Sequence, residues 1–277
     1  MINFLHVFEP TAILVSFGPI SIHWYGLTMV LGILAALALT FFLAKYYGIS
    51  RDIVFDLSFW LIIVGLIGAR IYDVLLQIPY YTNHPLQALE IWKGGLAIHG
   101  AIIAGLFIVW QFSRRLKISI WKLSALIVPG LALGQAIGRW GNYFNQEIFG
   151  LPTQQAWGIP ISLINRPLNY INSSYFHPTF LYESLACLLI SISLIAFNVY
   201  LIKKGKLDKS YTWLTALYMI LYSILRFGLE FIRLDQTPSI LGLRFPQIAS
   251  LIIIIASLLL LFFNYHANFQ SPRSEKS

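Results

Sequence analysis

In the stretch GRWGNYFNQEIFG, Gly138 to Gly150, a cation, a carboxylate and three side-chain amides fall within nine residues: Arg139, Asn142, Asn145, Gln146 and Glu147. They follow an apolar run that ends near Ile137. Such groups beside hydrocarbon are costly unless they face a partner or a polar ligand. Glycines 138, 141 and 150 let backbone come close to neighbouring helices or to a bound group. An interfacial loop with ordinary turn residues is the plainer reading of the same stretch. Further along, Tyr218, Tyr222, Arg226 and Glu230 recur every four residues, with Arg233 one turn on, which stacks them on one helix face. Arg226 and Glu230 either neutralise each other or line a polar cavity. A translocon scale charges about 2.5–3.5 kcal/mol for each such group at the centre of a span, so a whole stripe favours the cavity.

The elements that carry these groups are set by composition. Of 277 residues, 58% are hydrophobic and only 11% charged, against about 25% charged in soluble domains. Runs of about twenty apolar residues must satisfy their backbone internally, so the expected fold is all-α and polytopic. Seven spans are expected, at approximately 24–44, 53–76, 96–113, 120–137, 178–202, 211–230 and 246–263, in one integral-membrane domain. The longest connection, 138–176, is of the length that usually carries function. Residues 77–95 contain PLQALEIWKGG, an amphipathic piece suited to the interface with Trp92 as anchor. The N-terminus MINFLHVFEP has neither a basic region nor a small-residue cleavage site, so no removable signal peptide is expected. The tail from about Asn268 is polar and expected to fray.

Basic residues orient the spans. Lys45 and Arg51 follow span one; Arg114, Arg115, Lys117 and Lys122 follow span three. Lys203, Lys204, Lys206 and Lys209 follow span five, and Arg273 and Lys276 span seven. These are all odd-numbered exits, which the positive-inside rule makes cytoplasmic, with the N-terminus outside and the C-terminus inside. The net charge of +8 therefore reflects topology and not a nucleic-acid surface. The seven remaining basic residues are Lys93 and six arginines, Arg70, Arg139, Arg166, Arg226, Arg233 and Arg244. Arginine has a planar fork suited to phosphate or carboxylate, so the outer side is expected to hold an anion.

Other polar groups have two readings each. Arg70 and Asp73 are three apart, which suits a local ion pair or a ligand role. His99 lies about one turn inside span three, where it either bonds a neighbouring helix or does chemistry. His23, Trp24 and Tyr25 match an aromatic belt. Cys187, the one cysteine, excludes an intramolecular disulfide and reads as core. No paired His/Asp/Glu spacing of the usual metal-ligand type appears, so neither a metal nor a cofactor is expected. The spans gather His99, Tyr25, Arg70, Arg139, Glu147, Arg226 and Glu230 toward the outer half of the membrane, where His177 and Glu183 of HPTFLYES join them.

These blocks resemble the prolipoprotein diacylglyceryl transferase family. SIHWYG, GARIYDV, GGLAIHGA, GRWGNYFNQEIFG, HPTFLYES and RFGLEFIR occur in the family's order and spacing. The chain departs from it at Ala101, commonly glycine, and at Pro246, where a glycine usually precedes the late glutamine, Gln247. The resemblance implies transfer of diacylglyceryl from phosphatidylglycerol to the lipobox cysteine thiol of exported prolipoproteins, with glycerol phosphate leaving. It implies a multi-pass protein of the bacterial inner membrane, among membrane lipids, with its site toward the extracytoplasmic side. The residue matching Arg139 is then a phospholipid ligand, and those matching His99, Tyr25, Asn142 and Gly150 are essential. Those matching Glu147, Arg226 and Glu230 are important, and Arg70 and Tyr222 join them as substrate-binding candidates. A thiol with pKa near 8.5 is mostly protonated at neutral pH, so a base is needed; His99 and Glu147 compete for that role. A transporter or flippase for an anionic phospholipid is the alternative, but it favours inverted repeats and broken helices, which the sequence lacks.

Overall fold

A computed structural model describes residues 2–18, 20–235 and 237–270. Arg273, Lys276 and most of the polar tail lie outside the described residues. Among the described residues there are nine α-helices: α1 Ile2–Val7, α2 Trp24–Ala44, α3 Arg51–Leu76, α4 Ile78–Asn83, α5 Ile98–Leu116, α6 Ile120–Phe144, α7 Thr179–Lys203, α8 Tyr211–Leu229 and α9 Phe245–Gln270. Six short strands pair as antiparallel hairpins: β1 Ile13–Phe17 with β2 Ile20–His23, β3 Ile159–Pro160 with β4 Tyr175–Phe176, and β5 Ser239–Ile240 with β6 Leu243–Arg244. The β5–β6 turn places Leu241 and Gly242 at φ 52° and 79°, the double positive φ of a tight two-residue hairpin.

Among the described residues, six helices are long and apolar enough to cross a bilayer: α2, α3, α6, α7, α8 and Phe245–His266 of α9. Seven spans were expected. The expected third span, α5, forms as a 19-residue helix, but His99, Gln111, Arg114 and Arg115 lower its hydropathy. The end of α6 also differs from expectation. It continues through GRWGNYF to Phe144, so Arg139 and Asn142 stand on a helix and not in the 138–176 loop. The polarity that suggested a loop is compatible with a helix because both side chains have polar partners there. Within α6, Pro129 cannot donate to the carbonyl of Ala125. The Tyr47 hydroxyl donates to that carbonyl instead, at 3.3 Å.

The chain divides into two compact units, Met1–Leu39 with Ile127–Ser277, and Thr40–Leu126. In the first, α8 packs along α9 and against α7. Ser184 and Ser191, two turns apart on α7, donate to the Ala136 and Pro129 carbonyls of α6 at 2.7 and 2.8 Å. Polar side chains that serve as glue between spans in this way leave no donor facing lipid. Tyr143, Phe149, Phe176 and Phe180 pack with Leu5 into an apolar core beneath the 145–178 segment.

In the second unit α3 packs along α5. Gly68 and Gly100 sit at their crossing, where a Cβ on Gly100 would stand 2.1 Å from the Gly68 carbonyl oxygen. Arg70 ties down the segment after α4. Its guanidinium donates to the backbone carbonyls of Ala88, Gly94 and Gly95 at 2.7–2.9 Å and to that of Gln87. Its distance to Asp73 is 3.7 Å. Arg70, a substrate-binding candidate, directs its donors to the backbone of this loop.

Candidate functional site

The first unit contains a cluster of charges centred on Glu183, a carboxylate on the first turns of α7 whose side chain is 2% exposed. Arg139, from the last turns of α6, places Nη2 2.6 Å from Glu183 Oε1. Arg226, near the end of α8, and Arg233, just beyond it, approach Oε2 at 3.7 and 3.8 Å. The Tyr222 hydroxyl donates to Oε1 at 3.4 Å. Glu230 forms a second centre. Arg226 Nη2 donates to it at 3.1 Å and Arg244 Nη1 lies 3.3 Å away. A buried carboxylate that caps the C-terminus of α8 opposes the helix dipole, and these guanidiniums offset that cost.

Four guanidiniums, Arg139, Arg226, Arg233 and Arg244, thus meet three carboxylates, Glu183, Glu230 and Asp235. Glu147, reached from Arg139 through Asn142, is a fourth carboxylate, so the charges of the cluster balance. Among the described residues, Arg139 Nε and Arg226 Nη1 are buried without a hydrogen-bond partner, although Arg226 Nη1 is the atom 3.7 Å from Glu183 Oε2, and the acceptor Glu230 Oε1 is likewise unsatisfied. Buried donors of this kind are normally satisfied, so two of them within one arginine cluster suit an anionic ligand.

One flank of the cluster is built by the signature stretch. Arg139 Nη1 donates to Asn142 Oδ1 at 3.4 Å, and Asn142 Nδ2 donates to Glu147 Oε1 at 2.6 Å. Asn142 is buried, whereas Glu147 and Tyr25 are exposed. Gly141 allows this assembly, because a Cβ there would lie 2.7 Å from the Tyr25 ring. Gly150 acts similarly: a Cβ would lie 2.9 Å from both His177 Cβ and the Ile232 carbonyl oxygen. Its backbone pairs with Arg233, and its N–H donates to the His177 carbonyl at 2.9 Å. Gly150, a substrate-binding candidate, packs closely here against the segment that carries Arg233. Between them, Gln146 and Ile148 have φ of 51° and 55°, which is strained for a β-branched residue. The Ile148 carbonyl accepts from the Thr179 hydroxyl.

Beyond the end of α8, Arg233 grips Asp235 through two bonds, Nε to Oδ1 at 2.7 Å and Nη2 to Oδ2 at 3.2 Å. Burial pushes the Asp235 carboxyl up, but the Arg233 hydrogen bonds and the Arg233 and Arg244 charges hold it below the usual carboxylate range. Arg244 fastens the loop by donating to the backbone carbonyls of Glu230 and Arg233 at 3.0 and 2.8 Å and to that of Asp235. Gln247 is buried, and its Oε1 accepts from the Arg244 backbone N–H at 3.0 Å.

The structure therefore brings together Arg139, Asn142, Glu147, Tyr222, Arg226 and Glu230 of the expected residues, with Tyr25 and Gly150 packed at their edge. His99 and Arg70 belong to the second unit. His99 is exposed at the start of α5, with its ring 5.8 Å from that of Tyr72. Glu183 was noted in the sequence only for its position, and its central role was missed. A lone glutamate one turn into an otherwise apolar helix was the available signal. Arg233 is legible in the sequence as one turn beyond Glu230, whereas Arg244 and Asp235 carry no spacing that marks their convergence.

The family profile described as "Prolipoprotein diacylglyceryl transferase" matches residues 12–263. Relatives carrying the name phosphatidylglycerol–prolipoprotein diacylglyceryl transferase are similar over most of their length. That from Synechococcus elongatus is 43% identical over 93% of this chain and 88% of its own. That from Acaryochloris marina is 45% identical over 85% of this chain and 84% of its own. The Synechocystis protein is 40% identical over 89% of this chain and 87% of its own.

Proposed function

The chain belongs to the prolipoprotein diacylglyceryl transferase family, and from that premise we propose how its residues carry out the transfer. The enzyme moves a diacylglyceryl group from phosphatidylglycerol to a prolipoprotein, the first step of lipoprotein maturation. The acceptor is the lipobox cysteine thiol. Its sulfur forms a bond to the glyceryl carbon as the carbon–oxygen bond to phosphate breaks, and the oxygen keeps the electron pair. Glycerol phosphate leaves, and the thiol proton goes to a base.

Arg139 and Arg226 hold the phosphate and stabilise the charge that grows on it. The observation that carries this reading is their pair of buried, unpartnered N–H groups beside Glu183. Glu183 and Glu230 orient the guanidiniums, Asn142 links Arg139 to Glu147, and Tyr25 bonds glycerol or phosphate oxygens. The base is His99, assigned from the family resemblance, with Glu147 as the second candidate. His99→Gln is expected to leave phospholipid binding unchanged while lowering turnover by about 10²–10⁴. Equal turnover across a pH series would transfer the base role to another residue. The direct test mixes purified protein, phosphatidylglycerol and a lipobox peptide and weighs the peptide. Added diacylglyceryl mass is expected; no product from intact, lipid-loaded protein removes the transferase reading.

We read α5 as a further crossing, the third in chain order; the basic exits, by the positive-inside rule, then support an N-terminus and arginine cluster on the extracytoplasmic side of the bacterial plasma membrane and a C-terminus inside. Cys187 is buried, so a new cysteine can be read cleanly. Lys206→Cys is expected to react with an impermeant thiol reagent only after the membrane is opened. Labelling of intact cells would reverse the topology.

A further inference from the structure

A cavity of about 740 Å³ opens beyond the end of α8, lined among others by Glu230, Arg233, Asp235, Thr237, Arg244 and Gln247. Its size falls in the range of roughly 300–1,000 Å³ of small-molecule sites. Glu230 and Arg233 belong both to this lining and to the ion-paired cluster, so the cluster opens directly on the cavity. On that side the Arg233 fork is closed by a carboxylate of the protein itself. Asp235 takes both Nε and Nη2, the two-bond geometry with which arginine grips an anion, yet its side chain is 32% exposed. The surrounding rim is fixed independently, because Arg244 bonds the carbonyls of residues 230, 233 and 235 and the Thr237 hydroxyl at 2.8 Å. Asp235 can therefore yield its place without the rim collapsing.

We propose that this cavity is the subsite of departing glycerol phosphate, with Arg233 holding its phosphate and Asp235 the resident carboxylate that the phosphate displaces. The inference rests on the transferase reading above, which supplies this product. When the glyceryl carbon–oxygen bond breaks, a phosphodiester with one negative charge becomes a monoester with about −1.5 to −2 at neutral pH. That product is too polar to leave through lipid. Arg233 is the guanidinium that follows Arg226 along the stripe and faces the cavity. The monoester's extra charge lets it compete for the Arg233 fork, and Asp235 returns as the product leaves.

The test is titration calorimetry of glycerol phosphate into the full-length protein in detergent, paired with inhibition of peptide lipidation by added glycerol phosphate. Asp235→Asn removes both the competitor and its charge, so binding and inhibition are expected to tighten about five- to tenfold. Asp235→Ser is expected to act in the same direction and serves if the first variant fails to fold. Arg233→Lys keeps the charge but loses the fork, and is expected to weaken binding by about tenfold. Inorganic phosphate should show the same response to Asp235→Asn, and glycerol should not bind. Affinity unchanged in both Asp235 variants, or glycerol binding as tightly as its phosphate, would overturn the subsite. Normal transfer with that result leaves the transferase reading standing. Tightened binding in a protein that makes no lipidated peptide would keep an anion site at Arg233 and overturn its role in product departure along with the transferase reading.

Discussion

Arg139→Lys is expected to lower turnover about a hundredfold while leaving a folded protein, the scale seen when one charge-stabilising donor is lost. Arg139 serves three directions at once. Nη2 meets Glu183 at 2.6 Å, Nη1 meets Asn142 at 3.4 Å, and Nε is buried without a partner. A lysine ammonium is a single point charge on a flexible stem, so it can satisfy Glu183 but cannot also present a fixed donor to phosphate. The Glu183 carboxylate stays paired, which is why stability should change little. Peptide lipidation and a thermal melt on the same preparation separate the two effects. Turnover within threefold of the parent would remove Arg139 from phosphate binding.

Glu183→Gln is expected to reduce both stability and turnover. Arg139, Arg226 and Arg233 approach one carboxylate whose side chain is 2% exposed. Neutralising it leaves three guanidiniums in a water-poor site with Glu230 as their remaining buried carboxylate. Breaking a buried ion pair by removing one partner costs about 3–5 kcal/mol. Turnover should fall by about a hundredfold or more, because all three arginines lose their common anchor. A variant that melts like the parent and lipidates peptide at the parental rate would show that Glu183 does not organise the site.

Most of the spans could be read directly from the sequence, because a bilayer demands long apolar runs whatever their partners. The run expected at 53–76 forms a helix over Arg51–Leu76, and that expected at 24–44 forms over Trp24–Ala44. The end of α6 was misread for a physical reason. Polar residues 139 and 142 look like a loop until their partners on α7 and in the following turn are known. The Arg226–Glu230 contact was legible because i and i+4 are neighbours on any helix. The gathering of α6, α8 and the loop after it around Glu183 was not, since those partners lie 43 to 50 positions away in the chain. Arg70 shows a further limit. Its spacing to Asp73 was visible, but the backbone carbonyls that take its donors leave no mark in the sequence.

On our proposal, Arg139 Nε and Arg226 Nη1, the two buried donors without a hydrogen-bond partner beside Glu183, receive the phosphate of the lipid substrate. A structure of the full-length protein with phosphatidylglycerol, obtained without prolipoprotein, tests it most directly. Phosphoryl oxygens are expected within hydrogen-bond distance of Arg139 Nε and Arg226 Nη1, with the Glu183 contacts retained. A headgroup bound elsewhere, with both donors still unpartnered, would contradict the claim.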